Sequence, residues 1–380
     1  MFMKLFISGF FLWAVSLWGH AESSPPTSSA LTIQRTFDRL SPPTEDISLW
    51  KQVLGGYDTE DPGKWNGNGW VCESNSDPAH GQCSPKLVWY ASGETVLPLR
   101  FTEKRSGMRQ VLNLRGYIQP YFVHTGCGTY GAKFQVYGAA AVGCQSGGGS
   151  SGAALTVWLP AAELARLPVG GLWQADLRLK LTNYFTDGRL ADFTAHFQFD
   201  VVDPDHIEIF FPAFRTASPL VELDLRPQGA PDGSPTAQDI TPLDMCLYDG
   251  YNANSTRYDV LLRDEGRPHN GRADSDFSIY REAAESDPDS PRDRIDYQVR
   301  LKNPESGELM PVVNNAQITW WEINKNLIRP VRLPSINYPV LCVPAPLLLV
   351  VPKFAVKDKN AGHYRGKMTV VFTPTTPTVN

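Results

Sequence analysis

The sequence predicts an all-β protein built of antiparallel sandwiches, and three observations carry that reading. In Trp173 to Leu181, the apolar Trp173, Ala175, Leu177, Leu179 and Leu181 alternate with Gln174, Asp176, Arg178 and Lys180. In Phe193 to Val201, Phe193, Ala195, Phe197, Phe199 and Val201 alternate with Thr194, His196, Gln198 and Asp200. A period of two gives a strand with one buried and one wet face. Second, short runs of this kind recur along the chain, with turn signals roughly every 8–12 residues. Third, Ala161 to Leu167 is the one convincing helix beyond the leader, and Pro160 suits its start.

The chain has 380 residues, a formal net charge of −5 and a pI near 5.8. Charge is mixed rather than clustered, so nothing points to nucleic acid. Residues 1–21 have a basic start at Lys4, an apolar run from Leu5 to Trp18, and Gly19-His20-Ala21. That is a secretory signal peptide, cut after Ala21, and its apolar run is shorter than a spanning helix. Behind it, the six cysteines Cys72, Cys83, Cys127, Cys144, Cys246 and Cys342 read as three disulfides. Pairing of nearest neighbours is favoured among the alternatives: 72–83, 127–144 and 246–342. The last would tie the start of the C-terminal half to its end. With no CxxC and no Cys–His cluster, no metal or other cofactor is expected.

Residues Glu22 to Pro43 are rich in Ser, Pro and Thr and are expected to be loose. Leu49 to Gln82 is dense in turn residues. Strands are expected at Lys86–Tyr90, Thr95–Phe101, Gln110–Gln119, Lys133–Tyr137, Ala153–Leu159 and Ile207–Phe211. Ser146 to Gly152 is a flexible loop whose GxSxG match, Gly148–Gly152, lacks the strand before and helix after that a nucleophile elbow needs. The histidines show no catalytic or metal spacing. Phe214 to Pro219 is polar and closed by proline. It divides the chain into an N-terminal domain (22–214), a linker (215–218) and a C-terminal domain (219–380). Strands of the second domain are expected at Leu220–Leu225, Met245–Tyr248, Tyr258–Arg263, Phe277–Arg281, Ile295–Leu301 and Ala316–Trp321. The acidic loop Glu285–Asp296 lacks Ca²⁺-ligand spacing and is expected to be solvated.

Two strands close the sequence. Leu347–Val351 is stopped by Pro352. The last strand puts Met368, Val370 and Phe372 on one face and Thr369 and Val371 on the other. The following PTTPTVN is a poor ladder partner, because proline donates nothing. An apolar edge is therefore expected. Pattern alone favours an earlier strand as its cover, with a strand from another chain as the alternative.

Several blocks occur together and in order: LRFTEKRS (99–106), LPAAELARLPVGGLW (159–173), LDLRP (223–227), LDMCLYDGYNANS (243–255), PVLC (339–342) and AGHYRGKMTVVFTP (361–374). With them the sequence resembles the tip adhesins of class 5 fimbriae and the cable-pilus-type minor pilins (pilus initiators) of the alternate chaperone–usher pathway. The resemblance implies two immunoglobulin-like sandwiches in tandem, an adhesin domain and then a pilin domain lacking its final strand. It reverses the preference for a self-covered edge. It also implies a fimbrial tip subunit, exported through the periplasm to the cell surface and not an enzyme. Its partners would be a periplasmic chaperone, an outer-membrane usher, a major pilin that donates a strand, and a host-surface glycan receptor. Such a subunit accepts a strand but offers none. Three sequential disulfides match the family's pattern. Leu223, Leu225, Met368, Val370 and Phe372 would line the groove. The family's receptor-binding arginines fall here on Gly67, Asn183 and Tyr184, so a different ligand or a shifted site is expected. Arg178, Lys180, Asn183, Tyr184 and Arg189 are the candidates, with Phe185 as a further sugar-stacking face. Two competing readings are an assembly initiator without adhesion and a secreted β-rich hydrolase, which would need clustered Ser/His/Asp groups or paired carboxylates.

Overall fold

The computed structural model describes residues 22–378 except 124, 125, 127, 145, 146, 215, 217, 230–233, 267–270 and 326. The expected signal peptide lies outside the described residues. Among them no helix is long and apolar enough to cross a membrane.

The first unit is a two-layer β-sandwich. One layer joins Ile47–Asp58, Gly152–Leu159, Arg109–Tyr121 and Thr95–Glu103, all antiparallel. The other joins Asn68–Cys72, Gly171–Asn183, Arg189–Val202 and Ser29–Asp38, with only the last pairing parallel. A two-residue ladder, Trp173↔Glu103 and Gln174↔Thr102, links the layers at one edge. The alternating side chains of Trp173–Leu181 and Phe193–Val201 supply the inner face, and Leu97, Leu99, Leu112, Leu114 and Leu155 face them, fully buried. Phe101 meets Phe197 and Phe199 across the sandwich at 5.4 and 5.3 Å, and Trp50 meets Phe193 at 5.5 Å. Aromatic pairs at such separations add to the area they bury.

The second unit has one cluster of buried apolar residues between its sheets. One sheet runs Thr236–Leu243, Leu347–Ala355, Arg294–Lys302, Phe277–Arg281. A second runs Gln317–Trp321, Arg257–Asp264, Met368–Pro374. A third runs Glu208–Phe210, Cys246–Tyr248, Val340–Pro344, Arg329–Val331. Bonds join Cys72 to Cys83 and Cys246 to Cys342, as expected. Cys144 is disulfide-bonded, and Cys127 lies outside the described residues.

Several expectations need correction. Ser29–Asp38 is not loose: its Leu31, Ile33 and Phe37 alternate onto the core edge, a pattern diluted by Ser, Thr and Gln between them. Ile47–Asp58 is a strand whose register shifts three times and whose Gln52 has φ 53°, so its sequence shows no period of two. Of Lys86–Tyr90 and Lys133–Tyr137, only Val88–Trp89 belongs to a strand, paired with Gly138–Ala139. The helix is one turn, Ala161–Leu164. Pro352 does not end its strand, because Arg294–Lys302 pairs only with Leu347–Val350 and no ladder partner on that side needs an N–H beyond it. Glu208–Phe210 already pairs with Cys246–Tyr248, so hydrogen bonding passes to the second unit before the expected boundary at 214–219. Of the expected linker, 215 and 217 lie outside the described residues.

The Glu285–Asp296 loop is not simply solvated. Asp293 is buried and accepts bonds from the Asp287 N–H (3.0 Å), Arg281 and Asn360 (2.8 Å). These partners, the Asp287 N–H first, lower its pKa from 3.8 to about 2. A depressed folded pKa adds stability above the unfolded value and loses it as pH falls toward the folded one. Asp293→Asn is therefore expected to lower the melting temperature at neutral pH, with the gap to the parent closing between about pH 4 and about pH 2. Melts across that range check it, and a gap independent of pH would refute the assignment.

Candidate functional site

The final strand Met368–Pro374 pairs on one side with Arg257–Asp264, setting Val370 opposite Leu262, Phe372 opposite Val260 and Pro374 opposite Tyr258. The inward Tyr258, Val260 and Leu262 are fully buried, whereas Met368, Val370 and Phe372 on the same face are only half-buried. That difference across one ladder marks a missing cover. Among the described residues the outer edge of Met368–Pro374 has no strand partner.

Val221, Leu223 and Leu225 are half-buried against the second core and alternate with exposed Glu222, Asp224 and Arg226. The pattern is that of a strand, yet 219–227 forms none, which corrects the expected strand Leu220–Leu225. The Asp224 amide bonds the Asp239 carboxylate (3.2 Å) rather than a neighbouring strand. Leu223, Leu225, Met368, Val370 and Phe372 all pack, half-buried, against one core cluster.

The two units meet at the LDMCLYDGYNANS stretch, and this is what that block does structurally. Glu103, fully buried in the first unit, accepts from Asn252 (2.8 Å) and Asn254 (2.8 Å) of the second, and also from the Leu172 amide (3.2 Å). Asn252 Oδ1 in turn accepts from the Leu341 amide (2.7 Å). Asp249 accepts from the amides of Tyr251, Ala253 and Ser255, which holds the loop while Asn252 and Ala253 sit at positive φ. A Cβ on Gly170 would lie 2.1 Å from the Gly250 carbonyl, so the two backbones meet where only glycine fits. Asn254 is thereby a junction residue.

The candidate receptor residues divide. Asn183 is buried, corrected from a surface contact to a turn anchor: its amide donates to Lys64 O (3.2 Å) and Asn68 Oδ1 (2.8 Å). Its Oδ1 accepts from the amides of Phe185 (2.9 Å) and Thr186 (3.3 Å). Lys180 pairs with Glu73 at 3.6 Å, and Arg189 with Asp192 at 2.8 Å. Arg178 is exposed on the outer face of its strand. Tyr184 and Phe185 are exposed and join Trp89 and Tyr90, which the sequence reading did not single out. No local signal joins residues 89 and 184; only tertiary pairing does.

Ser150 of the GxSxG match is buried, and its hydroxyl accepts from the Val142 amide (3.2 Å). A hollow of about 480 Å³ beside the Cys72–Cys83 loop is lined by Asn75, Gln82, Glu94, Gln135 and Tyr137 among others. Its one carboxylate, Glu94, is held by Lys133 at 2.8 Å. Among the described residues no cluster of His, Cys, Asp and Glu could hold a metal ion.

Residues 18–204 match the family model for the first domain of CfaE, a subunit of CFA/I fimbriae, and 207–376 match that for its second domain. The CFA/I fimbrial protein CfaE of Escherichia coli is 31% identical over 394 residues, covering 100% of this chain and 98% of that one. The crystal structure of CfaE, the adhesive subunit of CFA/I fimbria of enterotoxigenic E. coli, superposes with a TM-score of 0.78 at 26% identity, covering 94% of this chain and 96% of that one. A chaperone–tip adhesin complex of CFA/I fimbriae biogenesis gives a TM-score of 0.63 at 26% identity, covering 94% and 99%.

Proposed function

Because this chain belongs to the CfaE family of CFA/I fimbrial proteins, we propose that it is a fimbrial tip subunit that starts pilus assembly by accepting a donor strand and carries adhesion to a host surface. It is not an enzyme; its relatives are fimbrial subunits. It passes through the periplasm to the cell surface, with a chaperone, an outer-membrane usher and a major pilin as assembly partners. The observation that carries the reading is the half-burial of Met368, Val370 and Phe372 opposite fully buried neighbours, at an edge without a partner among the described residues. An incoming strand would complete the ladder with main-chain hydrogen bonds and seat alternate apolar side chains between that edge and Val221–Leu225. A chaperone strand fills the place first, and the N-terminal extension of the next pilin replaces it.

We assign strand acceptance to the second unit, with Leu223, Leu225, Met368, Val370 and Phe372 lining the groove, and adhesion to the first. The family model for the first domain covers residues 18–204 and that for the second covers 207–376. The test is a melt of the full mature chain with and without a peptide copying the donor extension of the companion major pilin. A ligand specific for the folded state at about 1,000 times its Kd stabilises by about 4 kcal/mol. For a unit of this size that is a rise of roughly 8–16 °C. No rise with the cognate peptide would overturn strand acceptance.

A further inference from the structure

Resting on the adhesive reading of the first unit, we propose that Trp89, Tyr90, Tyr184 and Phe185 form a stacking platform for an uncharged saccharide. The four side chains are 36%, 50%, 43% and 57% exposed. Their rings are continuous: Trp89 lies 5.3 Å from Tyr90, 4.9 Å from Tyr184 and 5.5 Å from Phe185. Four touching aromatics left in water are a cost that folding alone does not require.

The platform is rigid before any ligand arrives. Val88 and Tyr90 donate their amides to the carbonyls of Tyr137 and Ala139, each at 2.9 Å. Tyr90 holds φ at 54°, an uncommon conformation for an aromatic residue, and its hydroxyl donates to Ala141 O (3.2 Å). On the other side Asn183 fixes the turn, and the Tyr184 amide donates to Gly67 O (3.0 Å). Phe185 packs a ring edge against Gly67: a Cβ there would stand 2.6 Å from Phe185 Cε2 and 2.9 Å from Cδ2. Gly67 is therefore the residue that lets this ring join the platform.

Size and charge select the occupant. The exposed ring surface amounts to about 350–400 Å². A protein partner buries about 800 Å² per side, so the patch matches one or two sugar rings. The C–H face of a pyranose suits the negative π-face of an aromatic ring. The cations Lys64, Lys180 and Arg189 flanking the turn already hold Asp58, Glu73 and Asp192. Asp187, exposed two residues after Phe185, would repel a sialic acid carboxylate. A neutral sugar meets neither obstacle.

The test uses the full mature chain on immobilised galactose- and N-acetylhexosamine-terminated oligosaccharides, beside their sialylated counterparts. Neutral chains should bind at least about tenfold better than sialylated ones, and Trp89→Ala or Phe185→Ala should cost about tenfold or more. Binding should change by less than about twofold between roughly 50 and 500 mM NaCl, since no ion pair forms. Trp89→Phe should keep part of the affinity, and all variants should melt with the parent and accept the donor peptide. Binding confined to sialylated chains, or unaltered when Trp89→Ala and Phe185→Ala are combined, overturns the platform. If neither glycan set binds while the protein still attaches to host cells stripped of glycans, the receptor is a protein: the saccharide assignment fails and the adhesive reading stands. If it attaches to no glycan and no cell, both fail.

Discussion

Val370→Asp or Phe372→Asp should leave the free chain folded and yet weaken strand capture by about 100-fold or more, equivalent to about 3 kcal/mol. The asymmetry follows from the groove. In the unfilled state both side chains are only half-buried, so a carboxylate there still reaches water. An inserted strand would cover them and strip that water away, leaving an unpaired charge against Tyr258, which meets Phe372 at 4.8 Å. Co-purification with the chaperone and titration with the donor peptide both read the loss. Val371→Asp, on the exposed face of the same strand, is the control and should bind as the parent does. Equal complex yield from Phe372→Asp and Val371→Asp would refute the groove.

Removing the Cys246–Cys342 bond by a double Ala substitution should cost about 4–5 kcal/mol, because it frees a 96-residue loop. The Cys72–Cys83 bond spans only 11 residues and should cost about 3 kcal/mol. Burial adds to both losses, since Cys246 and Cys342 are fully buried and Cys72 and Cys83 nearly so, which leaves the order to loop length. Cys246 and Cys342 also pack in the cluster that carries Phe210 and Tyr248 onto the first core. Paired melts of the two variants check the order; an equal or larger loss from the 72–83 variant would contradict it.

How legible the molecule was depended on whether a segment's pattern came from its own strand or from its neighbours. Trp173–Leu181 and Phe193–Val201 declared themselves because each lies in the middle of a layer, with every second side chain in the core. Ile47–Asp58 hid, because three register shifts break its alternation. Leu220–Leu225 misled in the opposite direction: its alternation is that of a strand, but it forms none, and the Asp224 amide bonds the Asp239 carboxylate instead. Asn183 shows the limit for single residues. A polar side chain beside a turn looks like a surface contact in sequence, and here it is the buried anchor of that turn.

The sequence alone establishes the all-β class, the two-part organisation, an even set of cysteines able to form disulfides, and the apolar face of the final strand. All of these are set by local spacing or by covalent chemistry, which one chain segment can display alone. Tertiary packing alone sets Val221–Leu225 and Met368–Phe372 on one core cluster, couples Glu103 to Asn252 and Asn254, and stands Trp89 and Tyr90 beside Tyr184 and Phe185. Each joins residues about 90 or more positions apart, and contacts at that range are fixed by how layers pack and not by any period within a strand.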